Sequence, residues 1–304
     1  MSEHIVHTAV LEDCFNIMFH SNNLNDLFKK IINEYREFAQ LASITRDGDK
    51  FTIKLLKKYK EKYSQDKDIG GAEAYLAYVF GWLTHRSADR EMKPIWRGGN
   101  FETTQKPTEC SVYHEAFIFN KYYSELDLYQ RALMDDLLEG FSNSQAIKKD
   151  LFIKLTRGVL KRVLIEMHTF IPPEDNADDI EDWLDLLFFK SQKFKEDLIY
   201  RYSEAIINPD PHKVKLYIED NNFYDDKDKI NKLALKLRKD NNAITAEEID
   251  EVLEDNPDSH YAKALQRACE YLLAANEFFL GAMDIEELKL SFDIGKPGRH
   301  GGSV

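Results

Sequence analysis

Apolar residues recur at helical spacing along nearly the whole chain, and no alternating β-branched segments joined by tight turns interrupt them. Val6, Val10, Leu11, Cys14, Ile17 and Met18 mark a first helix over His4–His20. A second spans Leu24–Leu41, with Asn22, Asn23 or Asn25 as its cap. The loop Ser43–Asp49 leads to a third helix over Phe51–Tyr63, and Gly70–Gly71 opens a fourth that Pro94 ends. Thr108 caps a helix running to Tyr123, and the same periodicity continues through Leu126–Leu138, Ser144–Phe170 and Ala177–Ile207. Pro172–Pro173 separates the last two. Beyond Pro209 and Pro211 the helices are shorter and more charged; Thr245 to Glu248 carries a capping-box signature, and Ser259–Gly281 forms the last long helix. The expected fold is all-α, a multi-helix bundle in one domain over residues 1–292. Core helices occupy residues 1–207, a more variable portion residues 208–292, and a disordered tail residues 293–304.

The stretch Ala72–Trp96 is the expected centre. From Ala72 to Leu83 it is apolar on nearly every side, which suits a helix buried all round. On one face the small residues Ala74, Ala77 and Gly81 lead to His85 and Asp89, four residues apart. Small residues let other helices come close. A buried His and Asp must be paired or ligated. The spacing fits a hydrogen-bonded core pair, and it equally fits one imidazole nitrogen and one carboxylate oxygen chelating a metal.

Composition narrows the partners. The 304 residues carry 41 Lys+Arg and 54 Asp+Glu, a formal net charge of −13. That surface repels nucleic acid and anionic membranes, although bound metal ions reverse the sign locally. Cys14, Cys110 and Cys269 are too few and too scattered for a disulfide framework, so reduced thiols are expected. The opening residues have neither a basic start nor a long apolar run. No signal peptide and no membrane span are therefore expected, and the expected compartment is the cytoplasm.

Other candidates for chemistry are dispersed. His4 and His7 share a face of the first helix, and His7, between Val6 and Ala9, is expected to point inward. Asp47 and Asp49 sit in a loop before a helix, where carboxylates commonly cap. His114–Glu115 stands in an apolar helix, as a core residue or a ligand. His20 and His168 have no acidic residue at i+4, and His212, His260 and His300 lie among polar residues.

The order of these residues is more telling than any one of them. The segments HTAVLEDCF (His7–Phe15), LASITRDGDKF (Leu41–Phe51), AYLAYVFGWLTHRSADREMKPIW (Ala74–Trp96) and SVYHEAFIF (Ser111–Phe119) resemble the zinc-dependent phospholipase C family, which shares its fold with fungal single-strand nucleases. The likeness covers roughly the first 125 residues, and its most specific part is Gly81-x-x-x-His85-x-x-x-Asp89. It implies an all-helical bundle of that type and hydrolysis of phosphodiesters by a metal-activated water. It also implies a site for one to three zinc ions built from His7, Asp49, His85, Asp89 and His114, with Asp49 as ligand or as the base that orients the water. A phosphodiester-containing small molecule or lipid headgroup is the implied substrate. Arg86 and Arg90 flank the pair, to contact phosphate or to form a solvated face.

The chain departs from the family in three places. With no cleavable leader expected, the family's terminal amine ligand is not carried over, and His4 is the candidate to stand in for it. No histidine lies between Asp49 and the His85 helix in the family's position, and Ile118 stands where an acid would follow His114, leaving Glu115 or Cys110 as substitutes. A helical scaffold or interaction protein that keeps the fold with an incomplete metal set is the alternative. An HD-type phosphohydrolase ranks lower, because the chain has no His-Asp dipeptide.

Overall fold

A computed structural model describes residues 4–43, 49–69, 71–96, 108–122, 205, 208–240 and 244–294. Among these residues every element is helical and there is no strand, so the expected all-α fold holds. No helix among them is long and apolar enough to cross a membrane. The chain divides into two compact units, one built from residues 1–108 and 219–304, the other from residues 109–218.

The first unit contains α1 (His4–His20), α2 (Asp26–Glu34), α3 (Arg36–Ser43), α4 (Asp49–Asp66) and α5 (Glu73–Trp96). The expected second helix, Leu24–Leu41, is therefore two. Tyr35, at φ −120° and ψ 30°, leaves the helical region and lets the chain turn between α2 and α3. Of the three candidate caps, Asn25 is the one whose side chain accepts from the amide of Phe28, at 2.9 Å. Pro94 does not end α5 but falls in its last turn, where the helix continues to Trp96. One missing amide donor is tolerated so close to a helix end, where few intrahelical bonds remain to be made.

α5 packs against α1, α2, α3 and α4, and against the last long helix of the unit. Leu76, Ala77, Val79, Phe80, Trp82 and Leu83 are all buried, as the all-round apolar pattern predicts. Gly81 marks the tightest approach. A methyl group placed there would lie 2.0 Å from the backbone oxygen of Ala39 on α3. Only a residue without a side chain lets the two backbones pass at that distance.

The unit is completed in sequence order, after α6 and α7 of the second unit, by α8 (Lys229–Lys239), α9 (Ala246–Leu253), α10 (His260–Leu280) and α11 (Ile285–Ser291). Thr245 caps α9 through the Glu248 amide at 3.3 Å. Ser259 caps α10, and Gly281 ends it in the left-handed region at φ +87°. The more charged C-terminal portion contributes to the core of this unit. α10 lies against both α1 and α5 and buries Tyr261, Leu265, Ala268, Cys269, Leu272 and Ala275. Asp293 just beyond α11 is held by arginine side chains, and residues 295–304 lie outside the described residues.

In the second unit the described residues form α6 (Glu109–Tyr122), α7 (Pro211–Val214) and a π-helical turn that follows it over Lys215–Glu219. Glu109 pairs with Lys213 and accepts from the Tyr217 hydroxyl at 2.8 Å, and these contacts lower its carboxyl from the ordinary value. The expected helices over Leu126–Leu138, Ser144–Phe170 and Ala177–Ile207 lie outside the described residues, except for the helical Ala205.

Candidate metal centre

His7 is brought to the centre by α1, whose neighbouring Val6, Ala9 and Val10 are fully buried. His85 and Asp89 come from the second half of α5, one turn apart on the face that α1 covers. The expected inward orientation of His7 and the shared face of His85 and Asp89 meet in one cluster. His7, His85 and Asp89 are 0%, 2% and 4% exposed, and each offers a ligand atom within 4.8 Å of the others.

The contacts are specific. His7 Nε2 lies 3.4 Å from Asp89 Oδ1, and His85 Nε2 lies 3.2 Å from Asp89 Oδ2. His85 Nδ1 sits 2.8 Å from the backbone oxygen of Ser43 at the end of α3. That carbonyl can only accept, so Nδ1 carries the proton and Nε2 is turned toward the carboxylate. The imidazole of His85 stacks on His7 at 4.5 Å and on the indole of Trp82 at 4.8 Å, which fixes the ring. Lys93, one turn beyond Asp89, places its ammonium on Asp89 Oδ2.

Burial alone pushes the Asp89 carboxyl upward. The imidazole of His85, the ammonium of Lys93 and the imidazole of His7 beside it outweigh that and hold the group well below its ordinary value. The centre therefore keeps an anion in the core by surrounding it with nitrogen. The same donor set suits a divalent ion. Two imidazole nitrogens and one carboxylate oxygen are a common zinc set, with metal–ligand distances of about 2.0–2.2 Å. Donors around such an ion stand roughly 3.3 Å apart, and the three ligand atoms here lie within 4.8 Å of one another. Asp89 Oδ1 is buried and makes no hydrogen bond, and the Nδ1–carbonyl contact of His85 is the kind of outer partner that orients a metal-binding imidazole. The residues fit a metal.

The other expected ligands are placed differently. Asp49 opens α4, but its side chain lies outside the described residues, as do Asp47 and that of His4. His114 belongs to the second unit, where its Nε2 is 3.0 Å from the backbone oxygen of Tyr217 and 3.5 Å from the sulfur of Cys110. Its Nε2 is thus a donor to a carbonyl. Glu115 is buried in the same helix. Among the described residues, the group able to hold a metal is His7, His85 and Asp89.

Arg86 corrects an expectation. It forms neither a solvated face nor a phosphate contact, being 1% exposed, with Nε on the carbonyl of Phe292 at 2.6 Å and Nη2 on that of Asp293 at 2.8 Å. Arg90 Nη2 reaches the same Asp293 carbonyl at 2.8 Å. Ser43 and Lys93 are the participants that sequence analysis did not single out. Lys93 was readable as the i+4 partner of Asp89, whereas the carbonyl of Ser43 had no sequence signal.

Comparison with protein-family models, with curated proteins and with solved structures finds no match to this chain.

Proposed function

We propose that this protein is a metal-dependent hydrolase of phosphodiesters, with one divalent ion, zinc by donor chemistry, held by His7, His85 and Asp89. The observation that carries the reading is the convergence of three donors from two helices on one buried point. The ordered likeness of the first 125 residues to zinc-dependent phospholipases C supplies the reaction class. A bound ion would polarise a phosphoryl oxygen and ease deprotonation of water at neutral pH. His7 and His85 contribute neutral nitrogen donors, Asp89 contributes charge, and Ser43 and Trp82 keep His85 in register. With three protein donors, the set leaves a coordination position for water or substrate.

A second reading has its own observation. Lys93 already neutralises Asp89, so the cluster is also a charge-balanced polar group in a helical scaffold. One experiment separates the two. Protein purified without added metal is analysed for zinc, and melting curves of wild type and His85→Ala are recorded with and without chelator. The hydrolase reading expects about one zinc per chain and a wild-type melting temperature that falls with chelator, while the variant is chelator-insensitive. Metal-free, chelator-insensitive wild type would overturn the metal and leave the scaffold. Hydrolysis of a chromogenic phosphodiester by the loaded protein, lost in His85→Ala, tests the reaction.

A further inference from the structure

Lys93 stands where a divalent ion would draw its charge. Its ammonium lies on Asp89 Oδ2, the oxygen that also faces His85 Nε2, while 31% of its side chain is exposed. Asp89 itself is 4% exposed and Ser43 is fully buried, so Lys93 is the solvent-reaching member of the group. A divalent ion entering beside a retained ammonium would leave two cations on one carboxylate in a desolvated place. The four-carbon stem of lysine lets the head swing into water without disturbing α5.

We infer that Lys93 is a built-in counter-cation that holds Asp89 in the metal-free protein and is displaced when a divalent ion binds, so that it sets the metal affinity of the His7–His85–Asp89 centre. The inference rests on the metal reading above. Lys93 is a positioning residue here, acting through Asp89. In the metal-free protein it stabilises the fold; toward the ion it is a competitor. A merely structural lysine would do the first and not the second.

The test is zinc titration of metal-free wild type, Lys93→Met, Lys93→Arg and His85→Ala against a fluorescent chelator, with melting curves of each protein alone. Lys93→Met is expected to lower the melting temperature of the metal-free protein and to tighten zinc binding by about tenfold, the lower end of what outer partners do to metal affinity. Lys93→Arg, which keeps the charge, is expected to bind like wild type, and His85→Ala to lose the site. If Lys93→Met does not fold, Lys93→Gln, neutral but still able to donate to Asp89, is read in the same way. Equal affinity in wild type and the neutral variants overturns the inference and leaves the metal reading intact. Zinc binding in the neutral variants alone supports it in its strongest form. No zinc binding by any of the proteins overturns the metal reading and the inference with it.

Discussion

At the scale of single residues, the molecule keeps carboxylates in its core by surrounding each with donors. Asp89 is held low, so in metal-free protein its contribution to stability is present above its unfolded value of 3.8 and is lost as pH falls through the lower folded value. Asp89→Asn should remove that part of the acid transition and cost roughly 1.5–3 kcal/mol at neutral pH, the worth of a hydrogen bond to a charged group, since the neutral amide no longer pairs with the Lys93 ammonium. Denaturant titrations of both proteins from neutral to acid pH check this, and parallel curves would overturn it. Asp13 is the opposite case. Fully buried on α1, it accepts from Arg238 and, at 2.7 Å, from the hydroxyl of Tyr261, yet burial still pushes its carboxyl up. Asp13→Ala should cost roughly 1–3 kcal/mol, because the buried Tyr261 hydroxyl loses its acceptor while Arg238 keeps Glu12 at 3.2 Å; an unchanged stability would show that contact to be dispensable. The contrast explains what was legible. His85 and Asp89 could be read because their spacing on an apolar helix forces them to share a buried face. His7 could be read from its apolar neighbours. Asp13 could not, because its partners are more than 220 positions away in sequence, and no local pattern records a long-range contact.

At the scale of elements, caps and apolar stripes specify most of the helices, and backbone proximity specifies how two of them meet. The helix from Ser259 to Gly281 was readable because Ser and Gly bracket an apolar stripe, and both perform those capping roles. The division between α2 and α3 was not, since Tyr35 carries no breaker signal and the chain turns there to bring Ser43 to His85. Gly81 shows an element-level constraint that was legible in kind but not in degree. A small residue was expected at a helix contact, but the contact is with the main chain of Ala39, which has no far end to move aside. Gly81→Ala should therefore destabilise the protein by at least the roughly 1–3 kcal/mol of an overpacked core site, despite the better helix propensity of alanine. A chemical denaturation curve unchanged from wild type would overturn the close α3–α5 approach. Because α3 ends at Ser43, the same variant should also loosen zinc binding if the metal reading holds.

At the scale of the whole molecule, the first unit is assembled from segments far apart in sequence. α10 supplies Cys269, whose sulfur lies 3.7 Å from that of Cys14 on α1, both as thiols. It supplies Arg267, which pairs with the buried Glu91 of α5 at 2.6 Å and with Asp293 at 3.0 Å. Arg86 and Arg90 of α5 in turn hold the carbonyl of Asp293. Sequence periodicity separates residues 1–207 as core helices because it records how each helix is patterned, not which distant helix covers it. The consequence is a prediction about truncation. A fragment comprising residues 1–207 keeps His7, His85 and Asp89 but removes the α8 arginine that pairs with Asp13 and the α10 arginine that pairs with Glu91. It also exposes the faces of α1 and α5 that α10 covers. Breaking one buried ion pair costs about 3–5 kcal/mol, against a total stability of roughly 5–15 kcal/mol for a typical domain. Two such losses with the uncovered apolar surface should leave the fragment without a cooperative unfolding transition. Urea denaturation followed by circular dichroism, beside the full chain, checks the outcome. A cooperative transition at the full-length midpoint would mean that the early helices form a core without α10, and that the pairs from α8 and α10 do not hold the first unit together.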